Sequence, residues 1–182
     1  LAEKIYSQSY GNPLFITEVI KELYNSKMIY INDEVGWWYI DIPKTDDDDY
    51  YNDLHLPNTI EQAILNQLKN LDSISHEILK VISIFTNPIS TKVLAKFIDM
   101  DIEKIEIQVQ SLVNKGILTI KIEDKGYVYD INNRVSKDII YERISSEERL
   151  EKHKIAAEIL ESEDKINNNY DELILHLEKA NI

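Results

Sequence analysis

The sequence predicts a mainly α (α+β) fold: a winged helix-turn-helix with flanking helices, a small N-terminal β-hairpin and a C-terminal antiparallel helix pair. Three observations point there. Apolar-periodic segments follow one another at 74–85, 91–98 and 102–115, and Gly116 stands after the third, where a helix end favours positive φ. Two β-rich runs, 117–122 and 127–131, then flank Glu123-Asp124-Lys125-Gly126, a hairpin signal. Before and after this block, apolar residues recur at helical spacing.

Taken in order, Leu1, Ile5 and Tyr6 suit the end of a helix that Tyr10-Gly11-Asn12-Pro13 breaks. Pro13 fits the first turn of a new helix, where its missing N–H would have no partner anyway. That helix, 14–26, should bury Phe15, Val19, Ile20 and Leu23. Residues 28–31 and 37–40 alternate like strands around Asn32-Asp33-Glu34-Val35-Gly36, a hairpin whose Trp37 and Trp38 give one apolar and one semi-exposed face. An acidic connector follows. Asn58 is the expected N-cap of the next helix, with Glu61 three residues on, and Ile60, Ile64, Leu65 and Leu68 form its buried stripe. Asp72 or Ser73 caps the first winged-helix segment. After the wing, Val135, Ile139 and Ile140 mark a helix over 133–143, and a long helix covers 147–161. A polar turn broken by Asn167-Asn168-Asn169 leads to a last helix, 170–180, with Leu173, Leu177 and Ala180 on one face.

Composition excludes several classes. The chain has 182 residues, 43% of them hydrophobic, enough for a real core. It holds no cysteine, so neither a disulfide framework nor a thiolate metal site is available, which suits a cytoplasmic setting. No apolar run has membrane-spanning length, and the N-terminus is not a signal peptide. The chain opens on Leu1 and closes inside a helical pattern, so it reads as a segment of a longer protein.

The four glycines are each claimed by a turn or a helix boundary, and no G-x-x-x-x-G-K-[ST] occurs, so the segment has no phosphate loop of its own. His55, His76, His153 and His176 lie far apart, without a ligand-pair spacing, and read as surface or half-buried helix residues. Asp46-Asp47-Asp48-Asp49 lacks the alternation, central glycine and closing glutamate of a calcium loop, and reads as a solvated linker. Glu147 and Glu148 complement a helix N-terminus. No catalytic residue and no metal site emerges.

A formal charge of −13 opposes binding to phosphate backbones. Within 73–131 there are seven lysines, no arginine and eight acids, and the third helix offers a mixed polar set from Glu103 to Lys115. DNA readers contact several phosphates and favour arginine at guanine edges. The winged helix therefore reads as a packing module rather than a groove reader.

Three stretches carry a family likeness. Tyr10-Gly11-Asn12-Pro13-Leu14-Phe15, continuing through Glu18, resembles the "GNPxF…E" lid motif of STAND proteins, the AAA-related signalling ATPases of large bacterial multidomain regulators. Leu56-Pro57-Asn58-Thr59-Ile60, running on to Leu68-Lys69-Asn70-Leu71, resembles their "LPxxI…RLxxL" approach to the winged helix. Residues 131–141, His153 to Glu161 and Leu173-Ile174-Leu175-His176 resemble the closing "F-x-H-D…Y", "LH…IA…LE" and "LAxH" elements. The resemblance implies that Pro13 packs near the adenine of a bound nucleotide. It also places Asn133 and Arg134 at the "HD" positions, whose histidine senses ADP phosphates in the related NB-ARC switches. Asn133 can donate a hydrogen bond there but cannot carry a proton, and it is equally suited to cap a helix.

The expected organisation is lid-like helices and hairpin over 1–42, an acidic linker over 43–55, a winged-helix domain over 56–145, and the start of a helical (TPR-like) repeat region over 146–182. The expected function is that of a non-catalytic piece of a nucleotide-dependent switch. It couples an upstream P-loop ATPase core to downstream helical-repeat or output domains of the same chain, with protein partners and neither DNA nor membrane. The segment itself needs no cofactor, and ATP or ADP is implied for the intact parent. The alternatives are a winged-helix DNA-binding transcriptional regulator and a nucleotide-independent interaction scaffold.

Overall fold

A computed structural model describes residues 2–9, 11–41, 59–123, 126–163 and 170–182. The chain divides into two compact units, Leu1–Leu71 and Asp72–Ile182. The expected acidic linker, the Asn58 cap, the Asp124-Lys125 tip of the wing and the Asn167–169 breaker lie outside the described residues.

In the first unit, α1 (Ala2–Ser9) leads through Gly11, at φ 76°, into α2 (Pro13–Asn25). The Asn12 side chain accepts from the amides of Leu14 and Phe15 at 3.0 and 3.4 Å, with Pro13 first in the helix. α2 ends in a left-handed residue, Lys27 (φ 61°), and its orphan carbonyls are closed by Lys27 N to Tyr24 O and Met28 N to Leu23 O. A hairpin of β1 (Ile29–Ile31) and β2 (Trp38–Ile40) follows, with Tyr30 opposite Tyr39 and their rings stacked at 5.9 Å. α3 (Ile60–Lys69) completes the unit. Its cap is Thr59, whose hydroxyl accepts from Gln62 N at 3.0 Å.

The core here is Ile5, Phe15, Val19, Leu23 and Ala63, with Ile16, Ile29 and Ile60 packed against it. Fully burying each large member contributes about 1.5–3 kcal/mol. Two expectations change. Ile20 is exposed, because α2 turns its Phe15–Val19–Leu23 stripe to α1 and α3 and leaves the neighbouring position outside. The apolar face of the hairpin, Ile29, Trp38 and Ile40, turns toward Ile5 and Leu23 but is only partly covered: Trp37 and Trp38 are 73% and 59% exposed, since three-residue strands offer too little surface to cover indoles.

The second unit contains the winged helix. α4 (Ser73–Ile84) is capped by Asp72, which accepts from Ser75 N at 2.8 Å; that bond, the largest influence, holds the carboxyl below its ordinary range. β3 (Ile89–Ser90) precedes α5 (Thr91–Ile98) and α6 (Ile102–Asn114). Gly116, at φ 68°, then turns the chain into β4 (Leu118–Glu123) and β5 (Gly126–Ile131). The sheet is antiparallel in the order β3-β5-β4. β3 was not legible in the sequence. Two residues after Pro88 become a strand only because β5 lies beside them.

Asn133 caps α7 (Arg134–Glu142), which packs on α4, and α8 (Ser146–Glu163) and α9 (Tyr170–Lys179) form the helix pair. Ile140 of α7 is buried, Ile139 half-buried and Val135 exposed. The core is apolar, built from Ile78, Leu79, Ile82, Leu94, Ile105 and Leu112 around Phe85. The fold is thus a mainly helical α+β arrangement with two small antiparallel sheets. α3 packs on α2, within the first unit, although the sequence suggested that it opens the winged-helix domain. α8 and α9 share a compact unit with the winged helix, although the sequence suggested a separate repeat region. Among the described residues no helix is long and apolar enough to cross a membrane.

Candidate functional site

Pro13 lies exposed at the first turn of α2, and its carbonyl accepts the Thr17 hydroxyl at 2.8 Å. Glu18, the acid of the lid-like motif, is buried one turn on and ties α2 to α3. Its carboxylate takes Lys21 Nζ at 2.9 Å and Gln67 Nε2 at 2.8 Å, and the same Gln67 nitrogen reaches the Glu18 carbonyl at 3.0 Å. Beside it Asn66 Nδ2 donates to Glu22 at 2.8 Å; burial pushes the Glu22 carboxyl up against that bond.

Asn133, in the second unit, accepts from Ser136 N at 2.8 Å. It lines a cavity of about 760 Å³ walled by the wing, α7 and the end of α9. Lys121, Arg134, Lys137 and Lys179 line the same space together with Asp130 and Asp138, a local excess of positive charge in an acidic chain. Lys137 is held by Asp130 at 2.7 Å, and the exposed Arg134 stands 3.9 Å from Asp138.

Tyr141 and His153 form part of the cavity wall, and behind them lies a cluster that sequence reasoning missed. His153 and His176, expected at or near the surface, are 3% and 0% exposed. Their Nδ1 atoms are 2.7 Å apart. Tyr141 Oη lies 3.2 Å from His153 Nε2, and His176 Nε2 stands 3.5 Å from Glu172 Oε1, an electrostatic contact without hydrogen-bond geometry. Glu172 in turn accepts from Thr86 N at 2.6 Å, the Thr86 hydroxyl, Asn87 N at 3.3 Å and Asn87 Nδ2 at 2.7 Å.

Two proton arrangements fit every contact. With both rings neutral, Tyr141 O–H donates to His153 Nε2, His153 Nδ1–H donates to His176 Nδ1, and His176 keeps its Nε2 proton toward the carboxylate. With His176 charged, its Nδ1–H donates to His153 Nδ1 and His153 Nε2–H donates to Tyr141 Oη. Burial, reinforced by the charges of His176, Lys179 and Arg149, lowers His153 to about 4. Burial alone would raise Glu172, but the contacts from His176 and Thr86 outweigh it and bring the carboxyl down to about 2. The sequence signal was slight: two histidines at helical positions, the first followed by Ala156 and Ala157, both of them buried.

Charged links join α8 to the winged helix as well. Lys80 Nζ meets Glu148 at 2.8 Å, and buried Lys152 pairs with Glu77 and lies 3.6 Å from Glu148. The bond from Lys80 is the main reason that Glu148 sits below its ordinary range. Among the described residues no group of three or more metal-ligating side chains gathers.

On the outer face of α6 stand Glu103, Lys104, Glu106, Gln110, Asn114 and Lys115, with Ile107 at 70% exposure among them. Arginine is absent from this face and from the strands beside it. No family model matches the sequence, and no curated protein matches it closely enough to count as a relative.

Proposed function

We propose that this chain is a non-catalytic joint of a nucleotide-dependent signalling switch, of the STAND type that its motifs resemble. An upstream P-loop core would bind ATP or ADP, and the winged helix with its helix pair would pass the resulting movement to sensor or output domains. Such a joint works only if its two positions bind nucleotide with different affinity. Pro13 is the residue offered to the base, and Asn133 the residue offered to phosphate through its amide nitrogen.

The observation that carries this reading is how α8 and α9 are fastened to the winged helix. Lys80–Glu148, Lys152–Glu77 and the Glu172–Thr86–Asn87 cluster tie both helices to it, as a lever requires. The face a DNA reader would present carries as many acids as bases and an exposed isoleucine, which favours protein contact over a phosphate backbone.

The test uses the full product of the gene that encodes this chain. A fluorescent ADP analogue should bind it, and Asn133→Ser, which keeps a helix cap but removes the amide, should weaken that binding about tenfold. A full-length product with no phosphate loop, or ATP turnover by this purified chain alone, would overturn the proposal. Salt-sensitive binding of this chain to duplex DNA would instead establish the transcriptional regulator.

A further inference from the structure

We propose that the Tyr141–His153–His176–Glu172 chain is a proton-operated latch: α9 stays on the winged helix while the two rings share one Nδ1 proton, and protonation of both rings releases it. The geometry argues this directly. Two imidazole Nδ1 atoms 2.7 Å apart need one N–H and one lone pair between them. With both rings charged, two N–H groups would point at each other in a site with 3% and 0% exposure. The pair therefore has room for one proton at that contact and none for two.

What the pair holds is specific. α9 reaches the winged helix through Glu172, which takes four donors from Thr86 and Asn87, and through the His176 ring, set edge-on to Phe85 at 4.7 Å. Along its length α9 packs chiefly on α8. Pushing His176 away from His153 disturbs both attachments, because the carboxylate and the ring lie on successive turns of the same helix.

The charged groups around the pair set the direction. α8 brings Arg149 and Lys152, and α9 brings Lys179, all of one sign, with Glu172 opposing them. α4 brings Glu77 and Lys80, which are occupied by Lys152 and Glu148 of α8. α7 brings the Tyr141 hydroxyl, over whose ring Arg149 sits at 5.0 Å. Across the cavity that His153 lines stand Lys121 and the pairs Lys137–Asp130 and Arg134–Asp138 of the wing and α7, in which the charges cancel. α5 turns Phe97 toward Phe85 and Lys152, while its Lys92 and Lys96 are exposed. A second positive charge on the rings thus meets mainly cations. The apolar core of Ile78, Leu79, Leu94 and Leu112 contains no titrating group, so the winged helix should survive where α9 does not.

Hydrogen exchange followed by peptide mass analysis of this chain tests the latch, with rates corrected for the intrinsic pH dependence of exchange. Between about pH 7 and about pH 5 the amides of α9 should lose protection at least tenfold while those of β4 and β5 hold. His153→Gln, which keeps a polar side chain that cannot titrate, should abolish that loss. Unchanged protection in α9, the same loss in the variant, or simultaneous loss across the unit would each overturn the latch. Should the variant fail to fold, ring ¹⁵N spectra of the wild-type chain decide. One shared Nδ1 proton at neutral pH and a joint change on acidification support it, and two rings titrating independently near their ordinary value refute it.

Discussion

Two left-handed residues show how single backbone conformations shape this chain. Asp99 ends α5 at φ 54°, where its amide and that of Met100 both bond to Ala95 O. A side chain in that region costs about 1–2 kcal/mol, and glycine avoids the cost at some loss of chain entropy. Asp99→Gly should therefore raise the unfolding free energy of the second unit by about 0.5–1 kcal/mol, read as a higher urea midpoint. Gly116→Ala, at φ 68°, should lower it by about 1 kcal/mol in the same assay. Asn133, in extended backbone, acts through its side chain instead. Its bond to Ser136 N makes it a structural cap whatever else it does, and Asn133→Ala should cost about 1 kcal/mol. A midpoint unchanged in that variant would mean that the cap contributes nothing. Caps of this kind were largely readable in advance, since Asp72 and Asn133 stand before apolar-periodic runs. The cap of α3 was placed one residue early, at Asn58. Thr59 does that work, because its hydroxyl is the one three residues from the Gln62 amide.

At the scale of elements, the instructive cases are those where pairing rather than propensity decides. The long apolar patterns became helices, and the two wing runs became strands, close to where their spacing puts them. β3 did not show itself, because two residues carry no periodicity. The partner of α3 was also hidden. Its stripe of Ala63, Ile64 and Leu68 would suit any apolar face, and Gln67 and Asn66, reaching Glu18 and Glu22, add polar ties to α2 that periodicity does not show. Gln67→Ala leaves the buried Glu18 carboxylate with one donor fewer and should destabilise the first unit by about 1–3 kcal/mol. Circular dichroism of a fragment spanning that unit, compared with its Q67A form, would measure the loss. The histidine pair was hidden for the same reason. Twenty-three residues separate the rings, and only the antiparallel return of α9 along α8 brings them together.

At the scale of the molecule, acidity is the variable to which this fold is most exposed. His153 has an ordinary value of 6.5 and about 4 when folded, so below 6.5 the unfolded chain binds more protons there than the folded one. Its contribution is present in full above 6.5 and is lost as pH falls from 6.5 toward 4. Glu172, moved from 4.5 to about 2, adds a second loss as pH falls from 4.5 toward 2. Urea midpoints of the second unit should therefore decline in two stages from neutral to strongly acid solution. A flat midpoint between 6.5 and 4.5 would contradict the buried state of His153.

Both tryptophans of the chain, Trp37 and Trp38, stand on the exposed hairpin of the first unit. Indole emission is therefore a reporter with a narrow field of view. It follows the hairpin, where Tyr24 meets Trp38 edge-on at 5.9 Å, and has no chromophore of its own anywhere in the winged helix. An optical melting curve taken at that emission would be silent while the larger half of the protein came apart.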